Sequence, residues 1–380
     1  MITVGIDATR SRSGGARAHL LGILSDIDPF KYGVELIHLW GYKELLEVIP
    51  EKHWLIKHLP NEIKEKSIIK QLWWQYRVLP KELRKFSCNV VFNTDAGSIC
   101  YFKPGVTLSQ DMLSFEPGEM KRFGLSIARL RLLFLLFVQV KSLSKSSMSI
   151  FLTTYASDMI QRKTGVLRNK VIIPHGIDNR FHMLGANRSV EVTIKNEYRL
   201  VYVSNVALYK HQWNVLFAIN LLRTKGYNLS IVFVGGGKGL AQRKFERALL
   251  EVDKFKEWVS QEGFVSHEDL VTILSESDIF LFASSCENMP VTLLEGMAAG
   301  LPIVCSYRGP MLEILKDGGL YFNPESVESI SNALEMMIDD FELRKRLARR
   351  SKELANQYTW EKCADATWNV LAKVGAEERC

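Results

Sequence analysis

Residues 279–306 read IFLFASSCENMPVTLLEGMAAGLPIVCS and contain the pattern from which the fold is predicted. A strand over Ile279–Ala283 leads through a polar loop into a helix that starts with Pro290. A second strand follows at Ile303–Ser306. Proline suits the first position of a helix because its φ is fixed. Two short apolar strands joined by a helix indicate a β-α-β unit and therefore a parallel sheet.

The same alternation of strands and helices extends towards both ends of the chain. One series of strands starts at Thr3–Asp7 and runs to Val171–Pro174, and a second series starts at Leu200–Ser204. The second series includes a strand at Leu229–Val234, a helix over Leu240–Val259 and a strand at Gly263–Phe264. We therefore predict an α/β protein with two Rossmann-like parallel-sheet domains facing across a cleft. The predicted boundaries are an N-terminal domain over 1–185, a C-terminal domain over 186–360, and a terminal helix over 361–380 that can pack back on the first domain. The polar stretch Gly185–Val190 is the predicted linker.

Composition excludes several classes of protein. The 380 residues are 47% hydrophobic and 24% charged, which is typical of a globular chain and excludes collagen-like or disordered proteins. The six cysteines lie far apart without a C-x-x-C pair, so we predict reduced thiols in a cytoplasmic protein and no zinc site. The opening MITVGIDATR lacks an apolar signal-peptide core. We expect a soluble protein.

Positive charge is concentrated in one segment. Residues 121–170 contain ten Lys and Arg against a single acid, Asp158. Apolar residues recur there at near-helical intervals: Leu125, Ala128, Leu132, Leu135, Leu136 and Leu143. Such a field predicts a polyanion or an anionic membrane surface as partner. We expect the membrane and no nucleic acid, with the protein peripheral on the inner face of the cytoplasmic membrane. The alternative is that the leucines fill the core and the charges are merely solvated.

Candidate ligand-binding residues follow strands, because open α/β sheets bind ligands at the carboxyl ends of their strands. Gly14 and Gly15 follow the first strand and precede an apparent helix from Ala16, where backbone amides attract anions; a plain tight turn is the alternative. His19 is expected to be structural. Lys210 lies just beyond a buried strand, where its charge could neutralise a diphosphate.

The loop and helix over 284–302 are the most informative. The amides of Val291 and Thr292 at the helix start predict an anion site. Glu287 and Glu295 flank it and would repel phosphate, so we interpret them as acceptors of hydrogen bonds from sugar hydroxyls. A capping glutamate and an exposed helix glutamate are the alternative.

These residues resemble the donor-site motif of glycosyltransferase family 4, whose members have the GT-B architecture. Here Glu287 and Glu295 are separated by seven residues and followed by Met-Ala-x-Gly-x-Pro. Further matches cover most of the chain: the Gly14–His19 loop, Ile173–Asp178, Ser204–Lys210, Gly263–Val265 and Thr359–Glu361.

The resemblance implies a role for each matched position. Glu287 would hold the donor sugar, Glu295 the ribose, and Lys210 the diphosphate together with amides of Gly15, Val291 and Thr292. The backbone of Phe264 and Val265 would meet the nucleobase. Three departures matter. Asn205 stands where an arginine often binds phosphate, and Asn288-Met289-Pro290 replaces the common Gly-Phe-Gly, so that Pro290 cannot donate an amide. Gln110-Asp111 replaces a His-Asp pair. We therefore expect Asp111 to contact acceptor or donor sugar.

The resulting hypothesis is a retaining hexosyltransferase that needs no metal or other cofactor. A GDP- or UDP-sugar would be the donor, and a saccharide or lipid-linked saccharide of a bacterial surface polysaccharide would be the acceptor. A soluble small acceptor and a catalytically silent scaffold are the alternatives. A dinucleotide-dependent oxidoreductase is disfavoured because no G-x-G-x-x-G follows the first strand. The D-x-D sequence Asp26–Asp28 precedes Pro29 and is predicted to be a cap.

Overall fold

The computed structural model describes residues 1–11, 14–64, 67–188 and 196–377. The chain divides into two compact units. The N-terminal unit consists of Met1–Gly176 together with the chain from Trp360 onward, and the C-terminal unit consists of Ile177–Thr359.

The N-terminal unit contains a parallel sheet in the order β3-β2-β1-β4-β5-β6-β7, seven strands within the described residues. At its carboxyl edge, Asp7 pairs with both Trp40 and Asn93. The strands are β1 (Ile2–Asp7), β2 (Val34–Trp40), β3 (Leu55–His58), β4 (Val90–Asn93), β5 (Gly105–Ser109), β6 (Met148–Phe151) and β7 (Lys170–Ile172). The helices are α1 (Gly14–Leu24), α2 (Lys43–Leu46), α3 (Asn61–Lys64), α4 (Ile68–Arg77), α5 (Leu79–Lys85), α6 (Ile127–Lys145) and α7 (Thr154–Thr164), with 3₁₀ turns at Pro29–Tyr32 and Glu119–Phe123.

The C-terminal unit contains a parallel sheet in the order β10-β9-β8-β11-β12-β13 among the described residues. Its strands are β8 (Tyr198–Val203), β9 (Leu229–Val234), β10 (Val259–Glu262), β11 (Ile279–Phe282), β12 (Ile303–Ser306) and β13 (Gly319–Phe322). Its helices are α8 (Asn179–Asn187), α9 (Gln212–Thr224), α10 (Gly239–Val252), α11 (His267–Ser275), α12 (Val291–Ala298), α13 (Met311–Leu315), α14 (Val327–Asp339) and α15 (Phe341–Ala355). Both sheets have the strand order of a doubly wound Rossmann fold, as predicted.

The boundary between the units lies earlier than residue 185. Gly185 belongs to α8 of the C-terminal unit, so the predicted linker is wrong over 185–187; residues 189 and 190 lie outside the described part of the chain. A Cβ at Gly185 would approach the carbonyl oxygen of Ala298 to 2.0 Å. This glycine therefore serves close packing of α8 against α12, not flexibility.

The last helix, α16 (Trp360–Glu377), packs within the N-terminal unit. It lies against α1, where a Cβ at Gly22 would meet the Trp360 ring at 2.2 Å. The indole Nε1 of Trp368 donates a hydrogen bond to the carbonyl of Ile23 at 2.8 Å. Asp28 accepts a hydrogen bond from Phe30 N at the start of a 3₁₀ turn, so the D-x-D sequence is a cap, as predicted.

Two predictions near β10 are wrong. The helix predicted over Leu240–Val259 ends at Val252, and the strand predicted at Gly263–Phe264 is instead β10 at Val259–Glu262. The physical reason is Asp253, whose carboxylate accepts hydrogen bonds from three successive amides, those of Glu257, Trp258 and Val259. These bonds turn the chain directly into the strand.

Candidate functional site

The candidate donor site is built on two neighbouring strands of the C-terminal sheet. Strands β8 and β11 pair in parallel, with Ile279 opposite Leu200. The loops that leave their carboxyl ends, 204–211 and 283–290, therefore lie side by side. Lys210 belongs to the first loop and Glu287 to the second, so the topology brings together two residues predicted from the sequence.

Both the backbone and the side chain of Lys210 are fixed by neighbouring groups. Its backbone N–H donates to the carbonyl of Ala207 at 3.0 Å, and its own carbonyl accepts from the hydroxyl of Tyr202 at 2.5 Å. The ammonium Nζ lies 5.1 Å from the centre of the Phe282 ring and 5.3 Å from that of Tyr209. It contacts Oε1 of Glu287. An ammonium over two aromatic faces gains cation–π attraction, which fixes its position.

Glu287 belongs to a loop that is buried almost throughout. Only 14% of its side chain is exposed, against 8% for Lys210. The two loops are also joined just before these residues, where Ser285 N donates a hydrogen bond to the carbonyl of Tyr209 at 2.8 Å. An ion pair this well covered is retained only with good geometry, since desolvation of both charges opposes it.

Helix α12 starts one residue later than predicted. Pro290 is its N-cap, with an extended backbone, and Val291 is the first helical residue. The carbonyl of Pro290 accepts from Leu293 N at 3.1 Å, whereas the amides of Val291 and Thr292 precede any acceptor within the helix. The position of these two amides at the helix start suits the anion site predicted from the sequence, and the binding of an anion there stays a prediction.

Glu295 is almost fully buried, unlike an exposed helix glutamate. Its pKa is raised to about 8, mainly by burial and also by the nearby carboxylate of Asp178, while Arg180 acts in the opposite direction. Arg180 forms a 2.7 Å ion pair with Asp178 and lies 3.3 Å from Nδ1 of His267. This cluster could not be predicted from the sequence, because the start of α8 with Asp178 and Arg180, His267 of α11 and Glu295 of α12 lie far apart along the chain.

The residues predicted to contact the nucleobase lie in the loop after β10. The side chain of Phe264 is 86% exposed and that of Val265 is half-buried. Gly263 accepts a hydrogen bond from Gly235 N, which ties this loop to the end of β9 at 3.1 Å. Asn205 is exposed after β8, and its carbonyl accepts from Nε2 of Gln212 at 3.0 Å.

The predicted residues of the N-terminal unit also lie beyond strand ends. Gly14 and Gly15 form the first turn of α1 rather than the loop before it, so the helix predicted from Ala16 starts earlier. Glycine makes this possible because Gly14 has a φ of +59°, which a side chain would disfavour. His19 is buried, and its Nδ1 lies 3.0 Å from Nδ1 of His175. Burial lowers the pKa of His19 to about 3, which agrees with a structural role.

Asp111 follows β5 and is half-buried. Its carboxylate accepts from Leu113 N at 2.9 Å, and burial raises its pKa. The neighbouring Gln110 donates from Nε2 to the carbonyl of Thr94 at 2.8 Å. A nearby ion pair at the same edge, Arg10 with Asp95 at 2.7 Å, was missed in the sequence because both residues are isolated there.

Helix α6 presents a different apolar face from the predicted one. Leu143 is buried, and Leu132, Leu135 and Leu136 are half-buried, so these leucines pack inward. The exposed apolar residues of the helix are Ile127, Leu130, Leu133, Phe134 and Phe137, with Ile127 85% exposed; Leu125, which is also exposed, precedes the helix. Spacing of three and four residues places the five helical residues on one side of the helix, which we call the α6 outer face.

Two absences apply to the described residues alone. No helix among them is long and apolar enough to cross a bilayer. No group of three or more His, Cys, Asp or Glu side chains among them is arranged to hold a metal ion. Whether the reaction needs a metal stays a prediction.

Comparison with known proteins agrees with this fold. The structure resembles sucrose-phosphate synthase from Thermosynechococcus elongatus, with a TM-score of 0.76, 15% identity and coverage of 99% of this chain and 100% of that one. It also resembles Anabaena HepE, solved in complex with UDP and glucose, with a TM-score of 0.71, 16% identity and coverage of 98% and 100%. The chain therefore has the two-sheet GT-B fold.

Sequence comparison adds the class of protein. Residues 186–354 match the family described as glycosyl transferases group 1. The O-antigen chain mannosyltransferase B of Escherichia coli is 31% identical over 113 residues, which are 30% of each chain. Matches to the first three curated relatives span 30%, 28% and 46% of those proteins' lengths. Together the matches support a glycosyltransferase family for this chain.

Proposed function

We propose that the protein transfers a hexose-type sugar from a nucleotide-sugar, a GDP- or UDP-sugar, to a saccharide or lipid-linked saccharide, with retention of configuration. The observation that carries the proposal is the contact of Lys210 with Glu287 beside the start of α12. This arrangement combines a cation and helix-start amides, suited to a diphosphate, with a carboxylate suited to sugar hydroxyls.

The chemistry follows from the charge that develops during transfer. When the bond between the sugar and the nucleoside diphosphate breaks, negative charge grows on the leaving phosphate oxygen. Fixed donors near that oxygen stabilise the transition state most, because they need no reorganisation. Lys210 and the amides of Val291 and Thr292 would take this role in the proposed reaction. Retention of configuration rests on the resemblance to family 4 alone.

Glu287 would accept hydrogen bonds from the donor sugar, and Glu295 from the ribose. In the structure Glu287 is engaged with Lys210, so donor binding would exchange this contact for one between Lys210 and the diphosphate. The ammonium would then keep an anion beside it, and hydrogen bonds from the sugar hydroxyls would compensate the carboxylate of Glu287. Gly14, Gly15 and Asp111 of the N-terminal unit would contribute to the donor and acceptor as the resemblance implies.

A peripheral membrane position is the second part of the proposal. The α6 outer face carries five exposed apolar side chains, and Arg131, Lys121 and Lys141 lie exposed on the same segment. An apolar stripe bordered by basic residues fits the interface of an anionic bilayer. Each basic residue near such a surface adds about 1 kcal/mol of attraction. A lipid-linked acceptor in surface-polysaccharide synthesis would be reached from there.

A thermal-shift screen tests the donor. GDP-, UDP-, ADP- and dTDP-sugars are added separately, and the melting temperature is recorded. One of the four should raise it in a concentration-dependent manner, because a ligand that binds only the folded state stabilises it. Release of nucleoside diphosphate in the presence of the same donor then distinguishes an enzyme from a silent scaffold, which would bind the donor without turnover.

A further inference from the structure

His211 has a backbone conformation that residues with a side chain rarely adopt. Its φ is +52° and its ψ is 28°, in the left-handed region that glycine favours. It is the N-cap of α9, and its carbonyl accepts from Asn214 N at 2.9 Å. Its side chain, however, does not cap the helix. A histidine at this position is therefore explained neither by a preference for the left-handed backbone conformation nor by side-chain capping of the helix.

The side chain instead reaches the neighbouring loop. Nε2 of His211 lies 3.0 Å from Oγ of Ser285, and both residues are almost fully buried. Ser285 N also donates to the carbonyl of Tyr209 at 2.8 Å. Oγ of Ser285 also donates to this carbonyl, at 3.3 Å. One backbone bond and two contacts of the Ser285 hydroxyl thus join residues 209–211 to residue 285.

These bonds are made by residues next to the candidate charged groups in sequence. Lys210 lies between Tyr209 and His211, and Glu287 follows Ser285 by two residues. The left-handed turn at His211 is what allows its ring to reach across, since an extended N-cap would direct the side chain towards the start of α9. The hydroxyl of Tyr202, in strand β8, donates a hydrogen bond to the carbonyl of Lys210. The turn is thereby fixed by β8 and by the adjacent loop together.

We propose that His211 is a positioning residue for transfer. Through Ser285 it fixes the separation of the Lys210 turn and the Glu287 loop, so that the ammonium and the carboxylate meet diphosphate and sugar at the same time. The inference rests on the proposed function and deepens it. His211 itself would touch neither donor nor acceptor.

The test uses His211→Asn and His211→Gly in the full chain. Both replacements tolerate the left-handed backbone, and neither reproduces the reach of Nε2 to Ser285. We expect melting temperatures within a few degrees of wild type, with kcat lowered about tenfold or more at saturating donor. Ser285→Ala should give a similar loss, and the His211→Asn/Ser285→Ala double variant should be no worse than the poorer single variant. Asn214→Ala is the matched control, because Asn214 lies in the same helical turn and bonds to the carbonyl of Pro324 instead.

The outcomes separate the inference from the proposed function. Transfer by the wild type together with kcat within twofold of wild type in both His211 variants would overturn the role of His211 alone. Absence of any transfer by the wild type would overturn the proposed function and this inference with it. If the His211 variants melt far below wild type, Ser285→Ala, which changes no backbone preference, decides: an unchanged kcat overturns the role, and a tenfold loss supports it.

Discussion

Nζ of Lys210 and Oε1 of Glu287 are in contact although 77 positions separate the two residues in sequence. Most of each side chain is buried, so each charge has lost most of its hydration and is stabilised mainly by the other charge. A pair of this kind stabilises the fold weakly, but loss of one partner leaves an uncompensated charge.

We expect Glu287→Ala to lose both activity and stability. Removal of the carboxylate leaves Lys210 without its partner, which costs about 3 kcal/mol in the free energy of unfolding. Transfer should fall by roughly 100-fold or more, as for other preorganised polar contacts. Denaturant unfolding and product formation measure the two effects. Glu335→Ala is the control, because it breaks an exposed pair with Lys225 and should cost less than about 1 kcal/mol. An active Glu287→Ala variant would remove Glu287 from the site.

Glu295 predicts a pH dependence of stability. Its pKa is about 8 in the folded protein against an ordinary value of 4.5, so the folded state holds a proton between these values that the unfolded state has lost. Stability should therefore fall as the pH rises from about 4.5 towards 8, by about 1.4 kcal/mol for each unit of pKa difference.

Glu295→Gln should reduce this fall, since glutamine does not titrate. Denaturant unfolding at pH 5, 6, 7 and 8 measures it, with the exposed Glu276→Gln as control. Equal pH dependence in Glu295→Gln and wild type would show that Glu295 is charged throughout the range.

Gly185→Ala should destabilise the C-terminal unit. A Cβ there would approach the Ala298 carbonyl to 2.0 Å, and backbone on both sides must then move. Overpacking of this kind costs about 1–3 kcal/mol. Gly236→Ala is the matched control, because no atom lies within 4 Å of its added Cβ. A Gly185→Ala variant as stable as wild type would contradict the role of Gly185 in the close packing of α8 against α12.

The α6 outer face should bind anionic lipid. Co-sedimentation with anionic vesicles at low salt is expected for wild type and should weaken several-fold in Leu130→Glu/Phe134→Glu, which places two negative charges within the apolar stripe. Leu250→Glu, an exposed leucine on α10, should behave as wild type. Equally poor binding of wild type to neutral and anionic vesicles would contradict the membrane position and favour a soluble acceptor.

Much of the fold follows from sequence because buried parallel strands are continuous apolar runs. β9 and β12 lie at the predicted residues. Prediction failed at two of the edge strands: β3 was missed and β10 misplaced, and both contain polar or exposed residues such as Lys57 and Gln261. Edge strands need less apolar surface, so their pattern resembles that of a loop.

The candidate site could be predicted only in part. The sequence indicated Lys210, Glu287 and the start of α12, but the contact between the first two depends on β8 and β11 being neighbours, and strand order is not readable from spacing. Ser285 and His211 gave no signal either, because an isolated serine and histidine have no distinguishing pattern. The inward leucines of α6 were mistaken for its outer face, since an almost uniformly apolar helix does not show which side is covered.

The most direct test of a nucleotide-sugar site at Lys210 is calorimetric titration of free GDP, UDP, ADP and dTDP into wild type, Lys210→Ala and the surface control Lys225→Ala. We expect at least one nucleoside diphosphate to bind wild type and Lys225→Ala equally. It should bind Lys210→Ala more weakly by about 1.5–3 kcal/mol, the value of a charge-assisted contact. Unchanged affinity in Lys210→Ala, or no binding of any nucleoside diphosphate by wild type, would contradict the proposed donor site.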